Sequence, residues 1–186
     1  MQWFKKILPE FNSERALITR AKRGDRDAFA GLYVRYVDGI YRYIYFRLNQ
    51  DNEETKDIVS TVFLKAWKRL DTFTYHISFQ AWVYRIAHNT LIDHYKTKKA
   101  YTRLDEIEIE VHPDDDEKLD IKIAFKNISK AMQSLTAEQK QIITLKFIEE
   151  PTNKEIAFVM NKQEDAVRAL QCRALKELRR KLKDKG

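Results

Sequence analysis

The stretch "FTYHISFQAWVYRIAHNTLIDHYK", Phe73 to Lys96, sets six aromatic side chains beside Arg85, Lys96 and three histidines. So many rings beside so many cations exceed what a soluble core helix needs, and they raise nucleic acid as a partner. Trp82, Ile86 and Leu91 recur at the spacing of a buried helical face.

A second concentration of suitable side chains lies near the C-terminus, in "EDAVRALQCRALKELRRKLK". Arginine and glutamine make paired hydrogen bonds to guanine and adenine edges. Gln163, Glu164, Arg168, Gln171, Cys172 and Lys176 fall on the outward side, with Arg173 near its boundary, and Val167, Leu170, Ala174, Leu175 and Leu178 fall on the side expected to face a core. Many helical hairpins carry a polar outer face, so this pattern alone leaves a purely structural role open.

The elements that would position these residues are legible. Thr136-Ala137-Glu138-Gln139 and Thr152-Asn153-Lys154-Glu155 both fit the capping box, in which hydroxyl and N3 side chain each satisfy an orphan backbone donor. Pro151 forces a break between them. The short helix "NKEIAFVM" meets Asn161, a residue that tolerates the left-handed conformation of helix ends. A short helix, a tight turn and a long basic helix form a helix-turn-helix. Upstream, Phe29, Leu32, Tyr33, Tyr36, Val37, Ile40, Ile44 and Leu48 recur at helical steps after Asp25 or Asp27, either of which is a plausible N-cap. "EETKDIVSTVFLKAWKRL" repeats the rule with acids early and bases late, as the helix dipole favours. A third helix is expected from about Ser78 to Lys99, and a shorter one over Arg15 to Lys22, before Gly24.

The expected fold is all-α: two small helical domains joined by an acidic linker, the C-terminal one a helix-turn-helix. The expected divisions are an extension with a short helix over 1–24, a helical domain over 25–99, a linker over 100–120 and a second domain over 121–186, where periodicity resumes through Ile121, Phe125, Ile128 and Met132. Net charge supports the division. Leu104 to Asp120 holds nine acidic residues and one lysine, a net of −8, so the remainder of this +7 chain carries +15. A polyanionic partner is the natural reading, since neutralising phosphates releases counterions.

Other function classes find little support. No apolar run approaches the roughly 20 residues of a membrane span. The amphipathic "MQWFKKILPEF" is too short for a firm surface anchor and lacks the features of a secretory signal. Cys172 stands alone, so no internal disulfide can form and a cytoplasmic protein is expected. His76, His88, His94 and His112 show no metal-ligand spacing, the four glycines form no phosphate loop, and no nucleophile has a triad context. Neither a cofactor nor an enzymatic activity is expected.

As a set, "DIVSTVFLKAW", "SFQAWVYRIAHNTLIDHYK" and "SLTAEQKQIITLKFIEEPTNKEIAFVMNKQEDAVRALQCRALKELR" resemble, in order and spacing, the two domains of an extracytoplasmic-function sigma factor of the sigma-70 superfamily. The resemblance implies a subunit that binds core RNA polymerase, directs it to promoter DNA and helps open it. The N-terminal domain would meet the polymerase clamp and the minus-ten element, and the C-terminal domain the minus-thirty-five element. Glu53, Glu54, Asp57, Thr61 and Lys65 would then be the polymerase contacts, although Ser60-Thr61 replaces the usual Gln-Glu of the clamp motif. In the minus-ten loop, "FTYH" stands where the family pattern is "FRGE", which makes Tyr75 and His76 stacking candidates for an opened strand, with Arg85, Asn89, His94 and Lys96 of the following helix as the further DNA contacts that the resemblance implies. The family also implies an anti-sigma partner. Two other readings stay open: a stand-alone helix-turn-helix regulator of duplex DNA, and an interaction protein whose basic helices bind acidic partners.

Overall fold

The computed structural model describes residues 13–45, 47–48, 51–101, 134–149 and 151–183. The N-terminal "MQWFKKILPEF", the acidic linker and the periodic stretch from Ile121 to Met132 lie outside them. Within the described residues the fold is helical: α1 (Glu14–Lys22), α2 (Arg26–Tyr45), α3 (Asn52–Lys68), a 3₁₀ turn (Leu70–Thr72), α4 (Phe79–Tyr101), α5 (Ala137–Glu149), α6 (Asn153–Met160) and α7 (Glu164–Lys183).

Polar residues at the helix starts set these boundaries. Ser13, Asp25, Asp51 and Ser78 each accept a backbone N–H from the first turn that follows, at 2.9–3.2 Å. Of the two expected caps for α2, Asp25 is the one used; its carboxyl is held below the usual range by the Ala28 N–H and by Arg20, 2.7 Å away. Gly24 ends the first helical hairpin at φ +88°, a left-handed conformation that glycine adopts without strain.

Helices α1 to α4 pack around Ile18, Leu32, Ile40, Ile44, Val62, Phe79 and Leu91, all of them buried. Gly31 lets α1 approach α2 closely, since a Cβ there would lie 3.3 Å from the Leu17 side chain. In the second unit, Ile142, Leu145, Ile156 and Val167 join α5, α6 and α7. Both expected capping boxes form. Thr136 and Gln139 exchange bonds of 2.9 and 3.3 Å, and Thr152 and Glu155 exchange bonds of 2.9 and 3.2 Å. Asn161 takes φ 52° and ψ 48°, ending α6 as expected.

A Cβ at Gly24 would meet nothing within 4 Å, so Gly24→Ala isolates the backbone cost of a left-handed residue. The expected loss is about 1 kcal/mol, within the range for placing a non-glycine residue there. Thermal denaturation should show a fall of roughly 4 °C.

Candidate nucleic-acid interface

Most rings of the opening stretch are structural. Phe73, Phe79 and Trp82 meet at centroid distances of 5.3–5.6 Å, and all three are buried. The loop between the 3₁₀ turn and α4 stands on this cluster, with Tyr75 and His76 exposed. Tyr75 contacts Phe73 edge-on at 5.1 Å, and the Arg15 guanidinium of α1 lies 5.0 Å from its ring centre. From the same helix, Lys22 donates to the Phe73 carbonyl at 2.6 Å. His76, Thr74, Trp82 and Arg85 line one side of an open cleft of about 470 Å³, and Lys154 and Phe158 of α6 line the other. That volume falls within the roughly 300–1,000 Å³ of small-ligand sites.

The structure separates the six residues expected to meet an opened strand. Tyr75, His76, Asn89 and Lys96 are exposed. Arg85 is half-buried, its guanidinium 4.5 Å from the centre of the Phe158 ring, a cation–π contact with the second unit. His94 turns away towards α3, with Nε2 3.0 Å from the Glu54 carboxylate. Tertiary contacts thus engage Arg85 and His94, two of the six side chains expected to be free for DNA.

The expected polymerase contacts also divide. Glu53, Asp57 and Thr61 are exposed on α3, with Glu53 pairing to Lys56 at 2.7 Å. Glu54 and Lys65 instead tie α3 to α4, Lys65 lying 3.2 Å from the Thr90 hydroxyl and 3.7 Å from Asp93. Sequence reasoning missed the apolar part of this surface. Leu64 on α3 is 54% exposed and Val34 on α2 is 59% exposed. The signal was the run Val62-Phe63-Leu64, which spans about 200° of the helix, more than one packed face covers.

On α7, Arg168, Cys172, Arg173 and Lys176 are exposed, as is Gln163 before it. Arg168 lies between Glu164 and Asp165 at 3.7 and 3.2 Å. Gln171 was expected outward, but its amide nitrogen is buried, and Leu175, expected inward, is 37% exposed. The buried face is thus rotated towards Gln171. Lys162 in the turn pairs with Glu138 of α5 at 2.8 Å, fixing α7 relative to the rest of its unit.

The two units meet along α4. Ser78, which caps α4, donates to Glu155 at 2.5 Å, and the same carboxylate closes the capping box of α6. Burial works to raise the Glu155 carboxyl, but hydrogen bonds from Ser78 and Thr152 outweigh it and hold it below its ordinary value. Deeper in the joint, Gln141 of α5 lies 2.7 Å from His88 Nδ1. With the amide donating, His88 accepts and is therefore neutral. Burial, with Arg47, Arg85 and Lys162 nearby, lowers its pKa to about 4 despite the opposing Glu138.

This has a directional consequence for pH. With the units apart, His88 titrates near its ordinary value of about 6.5. The joint is therefore strongest above that pH and weakens as pH falls towards 4, because the separated state takes up the proton first. Small-angle scattering should show the radius of gyration rising between pH 7.5 and 5, with a flatter response in His88→Gln. Equal responses in the two proteins would exclude His88 as the cause.

Comparison with known proteins agrees with this architecture. The family model for Sigma-70 region 2 matches residues 32–101, and that for Sigma-70, region 4 matches residues 125–178. The chain is 37% identical over 175 residues to the ECF RNA polymerase sigma factor BldN of Streptomyces coelicolor, an alignment covering 90% of this chain and 65% of BldN. It is 30% identical over 182 residues to the ECF RNA polymerase sigma factor SigW of Bacillus subtilis, covering 90% of this chain and 95% of SigW. Among solved structures, CnrH, in complex with the cytosolic domain of CnrY, has the same fold, with a TM-score of 0.72 at 21% identity over 94% of this chain and 100% of that one. With both sigma regions present in order, and with SigW matched over nearly its whole length, the chain belongs to the extracytoplasmic-function RNA polymerase sigma factors of the sigma-70 family.

Proposed function

We propose that this sigma factor joins core RNA polymerase through the exposed face of α3 and reads promoters with two surfaces of different chemistry. Helix α7 reads the minus-thirty-five element as duplex, through Arg168, Arg173 and Lys176, with Gln163, Glu164 and Cys172 at the same surface. The 72–78 loop and α4 read the minus-ten element as an opened strand, through Tyr75, His76, Asn89, Lys96 and, once uncovered, Arg85. Bond formation belongs to the polymerase, and this chain supplies specificity.

The observation that carries this reading is the exposed ring of Tyr75 beside an open cleft, on a different unit from the helix-turn-helix. A regulator of duplex DNA alone has no use for a ring-bearing loop. On the polymerase side, Glu53, Asp57, Thr61 and the exposed Leu64 follow one another at helical steps along α3. Since α6 covers Arg85 in the free chain, engagement of the minus-ten strand there replaces the Phe158 contact. An anti-sigma partner is proposed by analogy, because the sigma factor RpoE of Bartonella quintana, which shares this fold with a TM-score of 0.70 at 18% identity, was solved with the anti-sigma factor NepR.

Run-off transcription with purified core polymerase and a promoter library should depend on the chain. Leu64→Asp should weaken core binding tenfold or more, about 1.5 kcal/mol for one leucine anchor, while leaving the melting temperature unchanged. Initiation that proceeds equally without the chain would contradict the proposal. Selective duplex binding by the chain alone would favour a stand-alone regulator.

A further inference from the structure

The loop that carries Tyr75 contains neither lysine nor arginine from Thr72 to Ser78. A strand held by one ring needs a cation nearby for its phosphates, so the source of positive charge matters. Arg85 is turned to Phe158, and Lys154 lies on α6, in the unit across the cleft. Among the described residues two further cations reach the loop, both from α1, some fifty to sixty residues earlier in the chain.

They act on the loop in different ways. Lys22 is half-buried, donates to the Phe73 carbonyl at 2.6 Å and lies 5.7 Å from the centre of the Phe73 ring. It therefore fixes the backbone immediately before Thr74. Arg15 is exposed and lies against the Tyr75 ring itself, 5.0 Å from its centre. The two are seven residues apart, two helical turns, so both reach the same side of α1. That helix is anchored by Leu17, Ile18 and Ala21, all buried, so the cations project from a rigid support.

We infer that Arg15 and Lys22 are positioning residues for minus-ten recognition: Lys22 sets the loop backbone, and Arg15 orients Tyr75 and supplies the cation that the loop lacks. This rests on the proposed role of the loop in holding an opened strand. Arginine suits the task, since a planar guanidinium lies flat on an aromatic ring and still offers donors at its edge to a phosphate.

The test uses the full chain with core polymerase and a promoter library randomised across the minus-ten region, read by sequencing the transcripts. Tyr75→Ala should relax base preference at one position. Arg15→Ala should relax the same position and lower initiation about tenfold, with core binding within twofold of the parent. In base preference the double variant should be no worse than Tyr75→Ala, because coupled residues lose their effect once the partner is gone, while its initiation should still fall about tenfold with the lost cation. Arg15→Lys should recover part of the preference, and Lys22→Met should reduce initiation without shifting which position is read. The inference is overturned if Arg15→Ala leaves base preference unchanged, or if it lowers melting temperature and core binding along with initiation, as a purely structural role would. If Tyr75→Ala leaves the preference unchanged, the reading of the loop itself fails, an outcome distinguishable from failure at Arg15 alone.

Discussion

The Glu155 carboxylate is the point on which the relative placement of the two helical units depends. It accepts from the Thr152 backbone and hydroxyl to start α6, and from Ser78, whose hydroxyl also caps α4. One side chain thus joins the start of the helix-turn-helix to the start of the helix behind the minus-ten loop. A carboxylate suits the position because two helix N-termini, each with unsatisfied N–H groups and a positive dipole end, converge on it. Partial burial is tolerable because three donors satisfy its oxygens.

From that joint follows a competition for α4. Arg85 and His88 are engaged by Phe158 and Gln141, contacts each worth about 1 kcal/mol net in this setting. Together with the Ser78–Glu155 bond and the apolar packing of α4 on α6, these contacts define the resting arrangement. Polymerase contacts and phosphate neutralisation act on many groups at once, and the chain outside Leu104 to Asp120 brings a net of +15 to that exchange. The surfaces proposed on α3 and α7 are exposed in this arrangement, so the engagement proposed for them needs no rearrangement of this joint.

Local chemistry was readable from sequence, whereas contacts between elements were not. Thr136, Thr152 and Asn161 act within one or two helical turns of themselves, so their roles were visible in the text of the chain. Periodicity gave the four N-terminal helices for the same reason. Gln171 and Leu175 fell on the wrong sides because both lie near the edge of the apolar arc, where the neighbouring helix decides which is covered. Glu54, Lys65 and His94 read as free binding groups because their partners lie across the α3–α4 contact. His88 and His94, six residues apart, lie on different faces of α4: one enters the joint with α5 and the other meets α3. Nothing in sequence spacing relates Arg15 to Tyr75, which only the packing of α1 brings together.

The central claim is that one face of α4 is shared in turn between α6 and the promoter strand. Its most direct test is a pulsed spin–spin distance measurement between labels at the exposed positions Asp71 and Arg179, with Cys172 replaced by serine. The free chain should give one narrow, short distribution, and the active complex with core polymerase and promoter should give a longer one. An unchanged distance in a complex that initiates transcription would contradict the claim.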